Sequence, residues 1–95
     1  VKLTQELIEH IRGEGFSMLR YRLLADGKPT AVEHQKETTG RPHYKITRYA
    51  FVDMSAPDDP GAVFDVMRSR DGLLEWLEDR ISRSAAASPG AGGTA

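Results

Sequence analysis

Hydrophobic and polar positions alternate with two different periods along this chain, and the change of period divides it. From Phe16 to Met54 apolar side chains recur at every second position, as in Leu19, Tyr21 and Leu23, the spacing of strands with one dry face. On either side the spacing lengthens to three and four, the period of helices packed on one side. The sequence therefore predicts an α+β fold. It has an N-terminal helix, a three-stranded antiparallel meander, and a C-terminal helical region, one broken helix or two short ones, packed on one sheet face.

At the N-terminus, Thr4 is placed to cap a helix, with Glu6 in the first turn and Leu3 and Ile8 at the spacing of a hydrophobic staple. Leu7, Ile8 and Ile11 form its stripe, and Gly13 and Gly15 supply the stop. A helix of about two turns does not persist alone in water, so it has to dock on the meander.

Within the meander, Ala25-Asp26-Gly27-Lys28 has the composition of a two-residue type I′ turn. It sets Leu23 opposite Thr30, Tyr21 opposite Val32, Leu19 opposite His34 and Arg20 opposite Glu33. The second connection, Thr38 to Pro42, reads as a five-residue loop that puts Glu37 opposite His43 and Val32 opposite Arg48. One face then gathers Leu19, Tyr21, Leu23, Val32, Tyr44, Ile46, Ala50 and Val52, together with His34, Lys36 and Arg48. The other gathers Arg20, Arg22, Glu33, Gln35, Glu37, His43, Lys45, Thr47, Tyr49 and Phe51. The first belongs under the helices and the second faces water or a partner.

Beyond the strands, Ser55 to Gly61 is a loop ending in a helix start, Asp59 as cap and Pro60 at the first helical position. Val63, Val66, Met67, Arg70, Leu73, Leu74, Leu77 and Ile81 keep a helical period, which Asp71-Gly72 interrupts. From Ser84 onwards the chain has nothing large to bury. Residues 1–83 are thus expected as a single domain and 84–95 as a disordered tail.

Charge sharpens this division. The 95 residues carry a formal net charge of −1, but residues 1–15, 16–48 and 49–95 hold −1, +4 and −4. A basic sheet is followed by an acidic helical region. The chain has no cysteine, which removes disulfides and thiolate chemistry and fits a cytoplasmic setting. Nothing in it resembles a signal peptide or a membrane span. Arginine outnumbers lysine nine to four and the tail is rich in Ala and Gly, a composition common in GC-rich bacteria.

Candidate chemistry is sparse. His10, His34 and His43 lie at no metal-ligand spacing, Asp58-Asp59 is accounted for by capping, and the serines sit in no nucleophile context. The expectation is a non-catalytic domain without metal or cofactor. It binds a protein partner, or a second copy of itself, through Arg20, Arg22, Lys45, Tyr49 and Phe51 on the open sheet face, with Trp76 as a further anchor. The same basic and aromatic face has a second reading, as a platform for RNA or single-stranded DNA. No membrane partner is expected.

Overall fold

The computed structural model describes residues 2–66, 68 and 70–87, with side chains through residue 83. Asp26 and Gly27 both take positive φ, 51° and 81°, so the first turn closes as its sequence requires. The strands around it are more numerous than the pattern predicts. β1 (Leu3–Gly13), β2 (Phe16–Ala25), β3 (Lys28–Arg41), β4 (Tyr44–Asp53) and β5 (Val63–Asp65) form one antiparallel sheet in sequential order. α1 (Leu73–Ala87) is the single α-helix among the described residues. The architecture is mostly sheet, which corrects the expected three-strand meander between helices.

The N-terminal segment is a strand. Leu3, Gln5 and Leu7 point to one face and Thr4 and Glu6 to the other, a period of two that coexists in the sequence with the helical reading. Tertiary partners decide between them: Leu7 faces Tyr21, Glu6 faces Arg22, and Glu9 faces Arg20. A bulge between Leu7 and Glu9 reconciles the two halves of the strand. Gly15, at φ 70°, closes a turn to β2 where a helix stop is expected.

Two further shifts set the faces. Beyond the first turn, a bulge between Arg22 and Leu24 carries Leu19 opposite Lys36 instead of His34, two residues along. An even slip leaves every side chain on its expected side. The slip of β4 is odd. β3 continues paired to Arg41 through Gly40, whose φ of 128° suits glycine, and Val32 meets Asp53 instead of Arg48, five residues along. Tyr49 and Phe51 therefore share a face with Tyr21, Leu23, Val32 and His34. Tyr44, Ile46, Ala50 and Val52 turn to the opposite one.

The expected helix after Pro60 is a single 3-10 turn, Pro60–Ala62. Asp59 caps it, accepting a 2.8 Å bond from the Gly61 N–H. The chain then extends as β5, where Phe64 lies opposite Phe51. At Asp71-Gly72, where a break between two helical stretches is expected, Gly72 takes φ 78° and α1 begins at the next residue, but Val63–Asp65 before it is strand and no α-helix precedes α1 among the described residues. Of the expected tail, 84–95, residues 88–95 lie outside the described residues and α1 runs on to Ala87.

Leu73, Trp76, Leu77, Arg80 and Ile81 form the stripe that α1 lays on the sheet. Leu77 closes a small core with Leu23 and Val32, flanked by Phe51, Leu73, Trp76 and Ile81. Arg80, buried, places Nη1 2.8 Å from Asp59 Oδ2 and 3.4 Å from Asp53 Oδ2. Its guanidinium charge is favoured first by the bond to Asp59, and Asp59 in turn is held below the ordinary carboxylate range, first by the Gly61 N–H and then by Arg80. Asp53, also buried, further accepts bonds from the N–H and hydroxyl of Ser55 at 3.0 and 2.5 Å. A 15-residue helix is about 22 Å long against about 45 Å for the 14-residue β3, so α1 covers one end of its face and leaves the rest open.

Two stability tests follow from this packing. Phe51→Ser should lower the unfolding free energy by about 2–3 kcal/mol, while Ile46→Ser, at 40% exposure on the other face, should change it by about 0.5 kcal/mol; urea titration separates them. Asp53→Ala leaves Arg80 buried with one carboxylate fewer and should cost about 3 kcal/mol by the same measurement.

Candidate functional site

The residues singled out from the sequence are divided between the two faces. Arg20 and Arg22 lie on the open face, away from α1. Arg20 grips Glu33 with two parallel bonds, Nε to Oε1 at 2.8 Å and Nη2 to Oε2 at 2.7 Å, and reaches Glu9 with Nη1. These bonds raise the Arg20 pKa above its ordinary value, and the same pairing holds Glu33 below the usual carboxylate range despite its burial. Arg22 faces Glu6 on one side and Glu33 on the other. Arg20 is held by two cross-strand carboxylates and Arg22 stands in register with two, an arrangement that stabilises a sheet.

Lys45, Tyr49 and Phe51 lie on the helix face. Trp76 is built into the fold: its indole N–H donates to the Gly61 carbonyl at 2.8 Å, its ring meets Phe64 at 5.8 Å, and the Arg80 guanidinium lies 5.9 Å from its centre. It pins α1 to the 3-10 turn.

The middle of the helix face is a cluster of rings around His34. The imidazole stacks on Phe51 at 4.6 Å, Tyr49 at 5.9 Å and Tyr21 at 6.0 Å. Its Nδ1 lies 3.1 Å from Gln5 Oε1. Burial among the rings pushes the His34 pKa below the ordinary histidine value. From this cluster a cleft of about 320 Å³ runs between β1 and α1, with Leu3, Gln5 and Leu77 on its walls and Leu23, His34 and Phe51 on its floor. It adjoins a second hollow of about 440 Å³ along the outer flank of the helix, lined by Leu3, Leu74, Leu77 and Ile81, with Glu78 and Ser82. Leu3 and Leu77 belong to both, so the two form one apolar groove. Leu74 is 70% exposed and Leu7, further along β1, is 55% exposed.

β1 itself is the sheet's terminal strand, and every one of its eleven residues is exposed. One side of its backbone pairs with β2; the other has no neighbouring strand in the sheet. Groove and edge thus lie side by side.

Past the rings, the helix face changes character. By register it carries His10 and Arg12 from β1, Lys36 from β3 and Lys45 from β4, with Ser17, Thr38 and Thr47 between them. The Arg12 guanidinium rests on His10, and the Lys36 ammonium lies 5.9 Å from the Tyr49 ring centre. Glu6, Glu9, Glu33, Glu37 and Asp65 are all on the opposite face, and Asp53 is beneath α1. The strands bring no carboxylate to the cationic end of the helix face; the turn before β2 brings one, Glu14, which lines a hollow of about 400 Å³ with Ser17, Thr38 and Lys45.

Sequence reasoning misses the groove. Leu74 keeps the helical period with Leu77 and Ile81 and reads as part of the packed stripe, whereas in the structure it is 70% exposed. Among the described residues no cluster of three or more His, Asp or Glu is placed to hold a metal ion, and no helix is long and apolar enough to cross a membrane. No protein-family model, no curated protein and no solved structure matches the chain.

The His34 cluster makes stability depend on pH. The folded protein prefers the neutral imidazole, whereas the unfolded chain takes up a proton near pH 6.5, so the unfolded state binds more protons below that value and stability falls as pH falls. Thermal midpoints at about pH 7 and pH 5 should show this loss, and His34→Phe, which keeps the stack, should reduce it.

Proposed function

We propose that the protein is a non-catalytic interaction domain that binds an extended segment of a partner protein in the groove between β1 and α1. The observation that carries this reading is the juxtaposition of an exposed, unpaired edge strand with an apolar groove flanked by a helix. Peptide-binding modules that work by strand addition combine the same two parts: the edge supplies main-chain hydrogen bonds and the groove accepts alternate side chains. Leu3, Leu74, Leu77 and Ile81 supply the apolar surface. His34 and Gln5 supply polar groups at its inner end. This moves the binding surface from the open face to the helix face, where Tyr49 and Phe51 are found with His34.

Binding of single-stranded nucleic acid is a second reading, favoured by the cations Arg12, Lys36 and Lys45 on the face that carries the Tyr49 ring, which the Lys36 ammonium approaches to 5.9 Å. A polarisation titration with an oligonucleotide distinguishes it, because phosphate contacts give a steep salt dependence.

The groove reading is tested by selecting from a displayed library of random peptides on the immobilised 95-residue chain. Peptides with large apolar residues at alternate positions should be enriched. Leu74→Asp should abolish their binding while leaving the thermal midpoint near that of the wild type, and Ile46→Asp, on the other face, should leave binding intact. Absence of enrichment, or equal loss in both variants, would contradict the assignment. Self-association lost on Leu74→Asp would make the partner a second copy.

A further inference from the structure

We infer that the segment bound in this groove is acidic in its N-terminal half and apolar in its C-terminal half, and that it lies antiparallel to β1 with its carboxylates toward Arg12 and Lys36. The inference rests on the groove reading above and adds the chemistry and direction of the ligand.

The direction follows from the sheet. Every pairing in it is antiparallel, and that ladder is slightly more stable per residue than the parallel one. An added strand running against β1 enters at the Arg12 end and leaves at the Leu3 end, beside α1.

The spacing follows from β2, which already reads β1 from its other side. Ser17, Leu19, Tyr21, Leu23 and Ala25 lie opposite Arg12, His10, Leu7, Gln5 and Leu3. β2 thus keeps a period of two straight across the bulge in β1. A regular strand on the free edge meets the same residues in the same order. Counting from its N-terminal end, its first and third side chains on the helix face come beside Arg12 and His10. Its fifth comes beside Leu7 and its ninth beside Leu3. Such a ligand of nine residues spans about 30 Å.

The chemistry follows from what those positions meet. Arg12, on β1 itself, is the cation nearest the ligand; Lys36 lies two strands in from the edge, about 14 Å from the backbone of an added strand, and its row holds His10, Leu19 and Tyr49 with no carboxylate. At the other end the groove is apolar, and the charge at its lip is Glu78. A carboxylate is therefore attracted at the Arg12 end and repelled at the α1 end, which fixes the orientation of a chain that main-chain hydrogen bonds alone would leave ambiguous. Glu6 and Glu9 do not oppose this, because they point to the open face, where Arg20 and Arg22 meet them.

The test is fluorescence polarisation with the full 95-residue chain and three labelled, C-terminally amidated nonapeptides. The first has glutamate at its first and third positions, leucine at its fifth and ninth, and threonine elsewhere. The second replaces glutamate by glutamine, and the third carries the first sequence reversed. The acidic peptide should bind roughly tenfold more tightly than its neutral twin at low salt, with the advantage shrinking toward about 0.5 M salt. The reversed peptide should bind more weakly than the first. Arg12→Glu, a change at an exposed position, should remove the acidic advantage and leave the neutral peptide unaffected. Equal binding of all three peptides would overturn the inference and leave the groove reading standing. Binding by none of them would overturn both. An oligonucleotide that binds the Arg12 and Lys36 strip and is not displaced by the acidic peptide would also overturn the inference, assigning those cations to phosphate.

Discussion

The position of α1 depends on one buried arginine. An apolar core is non-directional, and this one is small: Leu77 against Leu23 and Val32, with a few half-buried neighbours. Such a surface would tolerate a helix sliding along the sheet. Arg80 does not, because its guanidinium must meet Asp53 at the end of β4 and Asp59 at the cap of the 3-10 turn at the same time. Trp76 adds a third point through the Gly61 carbonyl. Burying charges in this way contributes little net stability and much specificity, and here the specified quantity is the gap between helix and edge strand.

The same grip explains why the sheet is used unevenly. α1 is anchored where β3 and β4 meet the 3-10 turn, so the dry end of the helix face lies beneath it and the cationic end lies beyond its reach. Amphipathicity runs along the strands as well as across them. A face that begins with Leu3 beside the helix and Leu23 under it ends with Arg12, Lys36 and Lys45 in the open.

Much of this was legible residue by residue. The Asp26-Gly27 turn, the capping role of Asp59, the start of a helix after Gly72 and the sidedness of β2 and β3 all follow from local conformational rules that tertiary structure did not override. The N-terminal strand was not legible because Leu3, Leu7, Ile8 and Ile11 keep the helical period, whereas in the strand a bulge turns Leu7 and Ile11 to opposite faces, and partners on the neighbouring strand such as Arg20 and Arg22 decide between the two. β4 was misplaced by a single loop. Reading Thr38 to Pro42 as unpaired moved the register by an odd number and exchanged Ile46 for Phe51. The site inherited that error: Tyr49 and Phe51 belong with His34, while Arg20 is engaged by Glu9 and Glu33 and Arg22 stands opposite Glu6 and Glu33. A groove between elements far apart in sequence, such as Leu3 and Leu74, leaves no local pattern to find.

The bulge near Ile8 has a consequence for how crowded a solution this protein can tolerate. A long bare edge is a template for indefinite sheet growth, and fibrils extend by adding identical strands in register. A regular strand can follow β1 as β2 does, but a second β1 paired antiparallel brings its own extra residue, so that seam holds two interruptions of the ladder in place of one. The irregularity makes an antiparallel seam between two copies less regular than one with a straight strand, as edge bulges do against edge-to-edge pairing.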